Sequence, residues 1–143
     1  MVEHNKNAKE ALKQIKVINN RIEIKKAELE DIYEKMRGVS GKGFEPSYGA
    51  GTKIKSSQEM YISKYLEYKE ELNKDIENLI NVKREMLDKV NLLDDADCID
   101  VLYKRYFQFK KWEEIAVEKS YTYQGICKIH GRALAKLDKI LNS

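Results

Sequence analysis

VLYKRYFQFKKWEEIAVEKSYTYQGICKIHGRALAKL, running from Val101 to Leu137, reads as three helices separated by two short turns. A turn at about 107–110 divides a first helix from a short one at about 111–118. The second turn, KSYT, ends in Thr122, whose hydroxyl suits the orphan N–H groups of a following helix. Beyond it Ile126, Ile129, Ala133, Leu134 and Leu137 fall at three- and four-residue spacing, so one face of a longer helix, 122–141, is apolar. A short helix, a turn and a longer one-faced helix predict helix-turn-helix geometry. Upstream, Asp94-Asp95 supplies an N-cap for the opening helix, and Asp97 and Asp100 suit the positive end of its dipole. A module boundary is expected near Asp94, giving modules 1–93 and 94–143.

Toward the N-terminus the rhythm changes. Ala8, Ile15, Ile22, Leu29 and Met36 recur every seventh residue, and Ala11, Ile18 and Ile32 form a second seam that Lys25 interrupts. This predicts a helix from about Asn5 to Arg37. Residues 38–56 then hold five of the seven glycines and the only proline, Pro46, and read as a long, mobile loop. Lys42 and Lys53 lie in it, but the segment lacks the spacing of a phosphate-binding loop, and the plain linker reading is preferred. Ser56 followed by Glu59 forms a capping box that starts a second long helix. In that helix Tyr65, Leu72, Leu79, Met86 and Leu93 repeat by sevens beside Ile62, Ile76 and Val90, with Lys69 and Lys83 in the seam. Two narrow, matching stripes joined by one loop predict an antiparallel, coiled-coil-like hairpin, formed within one chain or between chains. Tyr61, Tyr65 and Tyr68 are read as packing residues of this hairpin rather than as a base-stacking platform.

The expected fold is therefore all-α. Charged residues at 36% and hydrophobic ones at 42% of 143 residues agree with long solvated helices. The formal net charge of +3 is too small for a polycation, so any nucleic-acid footprint must come from local clustering. Between Lys119 and the C-terminus, Lys119, Lys128, Arg132, Lys136 and Lys139 are opposed by Asp138 alone. Cys98 and Cys127 have no CxxC spacing, and His4 and His130 stand far apart, so neither a metal site nor a disulfide is expected. The Asp94-Asp95 and Glu113-Glu114 pairs lack the partners of a catalytic set, and no enzymatic activity or cofactor is expected. Without an apolar leader or a run of about 18 apolar residues, the chain is expected in the cytoplasm, away from membranes.

The segment resembles region 4 of the sigma-70 type initiation factors, and more closely the small region-4-like proteins of Gram-positive phages and prophages. Val101-Leu102, Arg105-Tyr106, Trp112-Glu113-Glu114-Ile115-Ala116, Thr122, Ile126, Ile129 and Arg132-Ala133-Leu134 carry the likeness. A heptad-rich N-terminal half ending in Leu93-Asp94-Asp95 extends it toward the ArpU-type late transcriptional regulators. Three positions depart from the pattern: Lys119 replaces an apolar residue, which predicts a loosely packed turn, Ser120 stands where glycine is common, and Gly125 where arginine is common.

The resemblance implies a transcriptional regulator of phage or prophage origin in a bacterial host, binding duplex DNA. It implies that Tyr123, Gln124, Cys127 and Lys128 enter the major groove. Gln124 is suited to adenine N6 and N7, Lys128 to guanine O6 or N7, and Tyr123 to a thymine methyl or a phosphate, while Cys127 allows close approach. Lys111, Lys119, Thr122, Arg132 and Lys136 are the expected phosphate contacts, with an intramolecular ion pair the other role open to Arg132. Tyr106 and Trp112 are expected in the core of the module, Cys98 as a small core residue, and His130 toward solvent or phosphate. The hairpin would serve homodimerisation or docking on a partner such as RNA polymerase. A phage DNA-packaging recognition subunit, similar to a small terminase, and a helical protein-binding adaptor are the alternatives.

Overall fold

The computed structural model describes the backbone of residues 7–41 and 50–143 and the side chains of 7–38 and 57–143. The described residues are all-α: helices α1 (Ala8–Gly41), α2 (Ala50–Val90), α3 (Ala96–Leu102), α4 (Trp112–Lys119) and α5 (Tyr123–Leu141), with no strand among them.

Both long helices differ from their expected limits. α1 begins at Ala8 rather than Asn5, because the Asn7 side chain accepts from the Glu10 N–H at 3.2 Å and caps it. It also continues past Arg37 to Gly41, and α2 starts at Ala50, so Ser56 lies inside a helix instead of capping one. Residues 38–41 and 50–56, expected in the glycine-rich loop, are thus helical; Lys42 and Pro46 lie outside the described residues. Glycine costs only about 1 kcal/mol in a helix, less than the hydrogen bonds of a helix already nucleated can offset.

The chain divides into two compact units, one of residues up to Asn19 together with Leu79–Ser143, the other Asn20–Asn78. This division does not fall at Asp94. In the second unit α1 and α2 run antiparallel: Lys25 pairs with Asp75 at 2.7 Å, the Tyr68 hydroxyl donates to Glu28, and Tyr33 meets Tyr65 with ring centroids 5.8 Å apart. These contacts join residues of the two stripes. Lys25, the break in the seam, keeps its charge beside Asp75 and Glu71. Ile22 and Leu72 are buried here, whereas Ile62, expected on the seam, is exposed.

In the first unit one continuous core joins Ala8, Leu12 and Ile15 of α1 and Met86 and Val90 of α2 to Val101, Leu102, Ile115, Ile126 and Leu137. Asp95 caps α3, accepting from the N–H groups of Asp97 at 3.0 Å and Cys98 at 3.3 Å. α3 then widens into a π turn over Tyr103–Phe107, closed by Gln108 N–H on the Tyr103 carbonyl at 3.1 Å. The five-residue bond brings Tyr106 and Phe107 beneath Val101 and Leu102, so all four are buried. An unbroken α-helix would carry residues five apart to different faces.

Candidate functional site

α4 starts with the Glu114 carboxylate accepting from the Lys111 N–H at 2.9 Å, and it ends at Ser120, which adopts the left-handed conformation at φ 59°. Glycine adopts that conformation without strain, whereas a side chain is strained there. Three residues, Ser120–Thr122, make the turn. Thr122 then caps α5 with its hydroxyl oxygen, which accepts from the Gly125 N–H at 2.9 Å.

The turn is not loosely packed. Lys119 lies against the protein with its ammonium between Asp100 at 2.7 Å and Asp97 at 3.1 Å. Burial works against its charge, but the two carboxylates prevail and its pKa is raised. The Tyr121 hydroxyl also donates to Asp97 at 2.8 Å, and that bond, ahead of Lys119, holds the Asp97 carboxyl below its ordinary value.

α5 has two distinct faces. Ile126, Ile129, Ala133 and Leu137 are buried, and the helix packs on α3 and α4. Tyr123, Gln124, Cys127 and Lys128 are exposed on the opposite side, together with Gly131. All four residues expected to meet bases thus share one open surface at the start of α5. Gly131 has nothing within 4 Å of where a Cβ would be, so the surface is open there too.

The residues expected to meet phosphate divide into two groups. Lys111 and Thr122 are exposed. Lys119, Arg132 and Lys136 each hold an aspartate: Arg132 pairs with Asp95 at 3.0 Å and Lys136 with Asp94 at 3.0 Å. The Lys136 bond is the first cause of the lowered Asp94 pKa, and Asp94 in turn raises that of Lys136. A phosphate approaching any of these three cations must compete with a carboxylate already in place. These acids lie in α3 or just before it, 19 to 42 residues away in sequence. Counting charges along α5 alone therefore overstates its positive field.

His130 is not turned toward solvent. It sits half-buried, with the Tyr106 hydroxyl 2.8 Å from its Nε2 and the Trp112 ring 4.6 Å from its own. Tyr106 is buried and Trp112 half-buried, with the Arg105 guanidinium 4.4 Å above the indole. Cys98 is fully buried. Burial first, then the charges of Lys9 and Arg105, push the His130 pKa down to about 4.

The unfolded chain would bind a proton at this imidazole near pH 6.5, which the folded chain refuses until about 4. The stability it contributes is complete above pH 6.5 and is lost as pH falls toward 4. Discounted for a half-exposed ring, the loss is about 1–2 kcal/mol. Urea titrations at pH 7 and pH 4.5 should show the wild type losing more stability on acidification than His130→Gln. Equal losses would contradict this account of His130.

Among the described residues no three His, Cys, Asp or Glu side chains gather as a metal site requires, and no helix is long and apolar enough to cross a membrane. Compared with known proteins, the chain matches no family model, no curated protein and no solved structure.

Proposed function

We propose that the chain is a non-enzymatic transcriptional regulator of the phage or prophage type, acting in the bacterial cytoplasm and binding duplex DNA sequence-specifically. α4, the Ser120–Thr122 turn and α5 form its helix-turn-helix, and α5 is the helix that enters the major groove. The paired stripes of α1 and α2 form the hairpin arm for self-association or for docking on a partner, RNA polymerase being the one the region-4 resemblance implies.

The observation that carries this reading is the exposed face Tyr123, Gln124, Cys127 and Lys128, opposite the helix face that anchors α5 in the core. An amide that both donates and accepts, an ammonium, a phenol and a small thiol side by side can discriminate base pairs by their edges. A surface whose only task was solubility would not need that mixture.

The test is a fluorescence-anisotropy titration against a duplex selected from a random pool and against its scrambled counterpart. Gln124→Ala should cost about 1–3 kcal/mol on the selected duplex and much less on the scrambled one, because a bidentate base contact is lost. Equal losses on both would remove α5 as the reading helix. Failure of the wild type to bind either duplex at low salt would sink the DNA-binding reading and favour a protein-binding adaptor. Ring assemblies in solution, with binding confined to packaging sites, would favour a packaging subunit.

A further inference from the structure

A cleft of about 550 Å³ opens in the first unit beside the start of α5. Four cationic residues line it, Lys9, Lys13 and Lys16 of α1 and Arg105 of the π turn, and no acidic residue does. Lys9, Lys13 and Lys16 recur at four- and three-residue spacing, so they share one side of α1 and form a stripe about 10 Å long. All three are exposed, and among the described residues none has a carboxylate at ion-pair distance. They contrast with Lys119, Arg132 and Lys136, each of which holds an aspartate.

The aromatic residues of the cleft position cations. Lys16 lies 4.8 Å from the centroid of Phe109, and Arg105 lies 4.4 Å above Trp112 while donating to the Lys110 carbonyl at 2.9 Å. Ring faces covered in this way hold charge at the cleft wall and are less open to a stacking base. Burial first, and then the positive field of Lys9 and Arg105, lowers the pKa of His130, which lines the same cleft. Cys127 belongs both to this cleft and to the exposed face of α5, so a ligand lying along that face reaches the cleft directly.

We propose that the cleft is a phosphate site, in which Lys9, Lys13, Lys16 and Arg105 take backbone phosphates of the duplex that α5 reads. The inference rests on the DNA-binding reading and deepens it: the three lysines of the phosphate clamp are on α1, more than 100 residues before the reading helix in sequence. It also explains why α5 tolerates the neutralisation of its own cations by aspartates.

The test compares the full-length wild type with a Lys9→Gln, Lys13→Gln, Lys16→Gln triple variant, and with a Lys64→Gln, Lys74→Gln control on exposed positions of α2. Anisotropy titrations at several salt concentrations should show the triple variant weakened about tenfold or more on selected and scrambled duplexes alike. Its salt-dependence slope should be smaller by about two to three units, near 0.9 for each phosphate lost. The control should match the wild type, and matching thermal unfolding curves would show that the variants fold.

An unchanged slope in a triple variant that still binds duplex would overturn the proposal. A calorimetric titration with inorganic tripolyphosphate separates the site from its occupant. If the wild type binds no duplex but binds tripolyphosphate, and the triple variant does not, the phosphate site stands and the DNA occupant is overturned. If neither is bound, the site itself is overturned.

Discussion

An isolated fragment of residues 94–143 is expected to be largely unfolded, although it holds α3, α4 and α5 complete. The buried faces of Val101, Leu102, Ile115, Ile126 and Leu137 belong to a core completed by Leu12, Ile15, Met86, Val90 and Leu93. Each of these five large side chains contributes about 1.5–3 kcal/mol by leaving water, so removing them takes away roughly 8–15 kcal/mol. That matches the whole stability of an ordinary domain, and a 50-residue piece has little in reserve. The fragment also loses the bond from the Ala8 N–H to the Asp138 carboxylate at 2.7 Å. Far-ultraviolet circular dichroism and proton spectra of the fragment provide the check. A cooperative thermal transition with dispersed amide signals would show that the last 50 residues fold alone and that the shared core is dispensable.

Leu12→Ala in the full chain is expected to cost about 2–5 kcal/mol, the range for a leucine whose removal leaves a cavity that cannot fully collapse. Leu12 is fully buried, while Ile24, further along the same helix, is 63% exposed. Ile24→Ala should therefore stay within about 0.5 kcal/mol of the wild type. Urea unfolding followed by Trp112 fluorescence measures both, since the indole lies against the first unit's core. Similar small effects for the two variants would mean that the start of α1 is not packed as described.

Leu12 also marks the boundary of what a heptad reading can see. The seams through Ala8, Ile15 and Ile22 and through Ala11 and Ile18 describe a helix facing one partner. Near its start, however, α1 packs into a core that also contains α3, α4 and α5, so its apolar stripe must be wider than two positions. Further along, where its described contacts are with α2, the stripe narrows and Leu29, Ile32 and Met36 are half-buried. Burial at Leu12 depends on residues 70 to 130 positions away, which no local window includes.

The exposed face of α5 was legible because a helix with Ile126, Ile129, Ala133 and Leu137 inward has Gln124, Cys127 and Lys128 outward by geometry alone. The state of its cations was not, because ion pairing depends on which aspartates the fold brings near. The π turn at Tyr103–Phe107 likewise has no local composition to announce it.

The sequence by itself determined the helical class, the Asp95 and Thr122 caps, the limits of α4 and α5 to within a residue or so, and the outward face of α5. Each follows from the 3.6-residue period or from a side chain satisfying backbone groups two or three residues away. The tertiary structure alone decided that α1 and α2 complete the C-terminal core. It also decided that Lys119, Arg132 and Lys136 hold aspartates while Lys9, Lys13 and Lys16 line a cleft. These are long-range outcomes: they depend on distances between segments far apart in the chain, and such distances exist only once the core has closed.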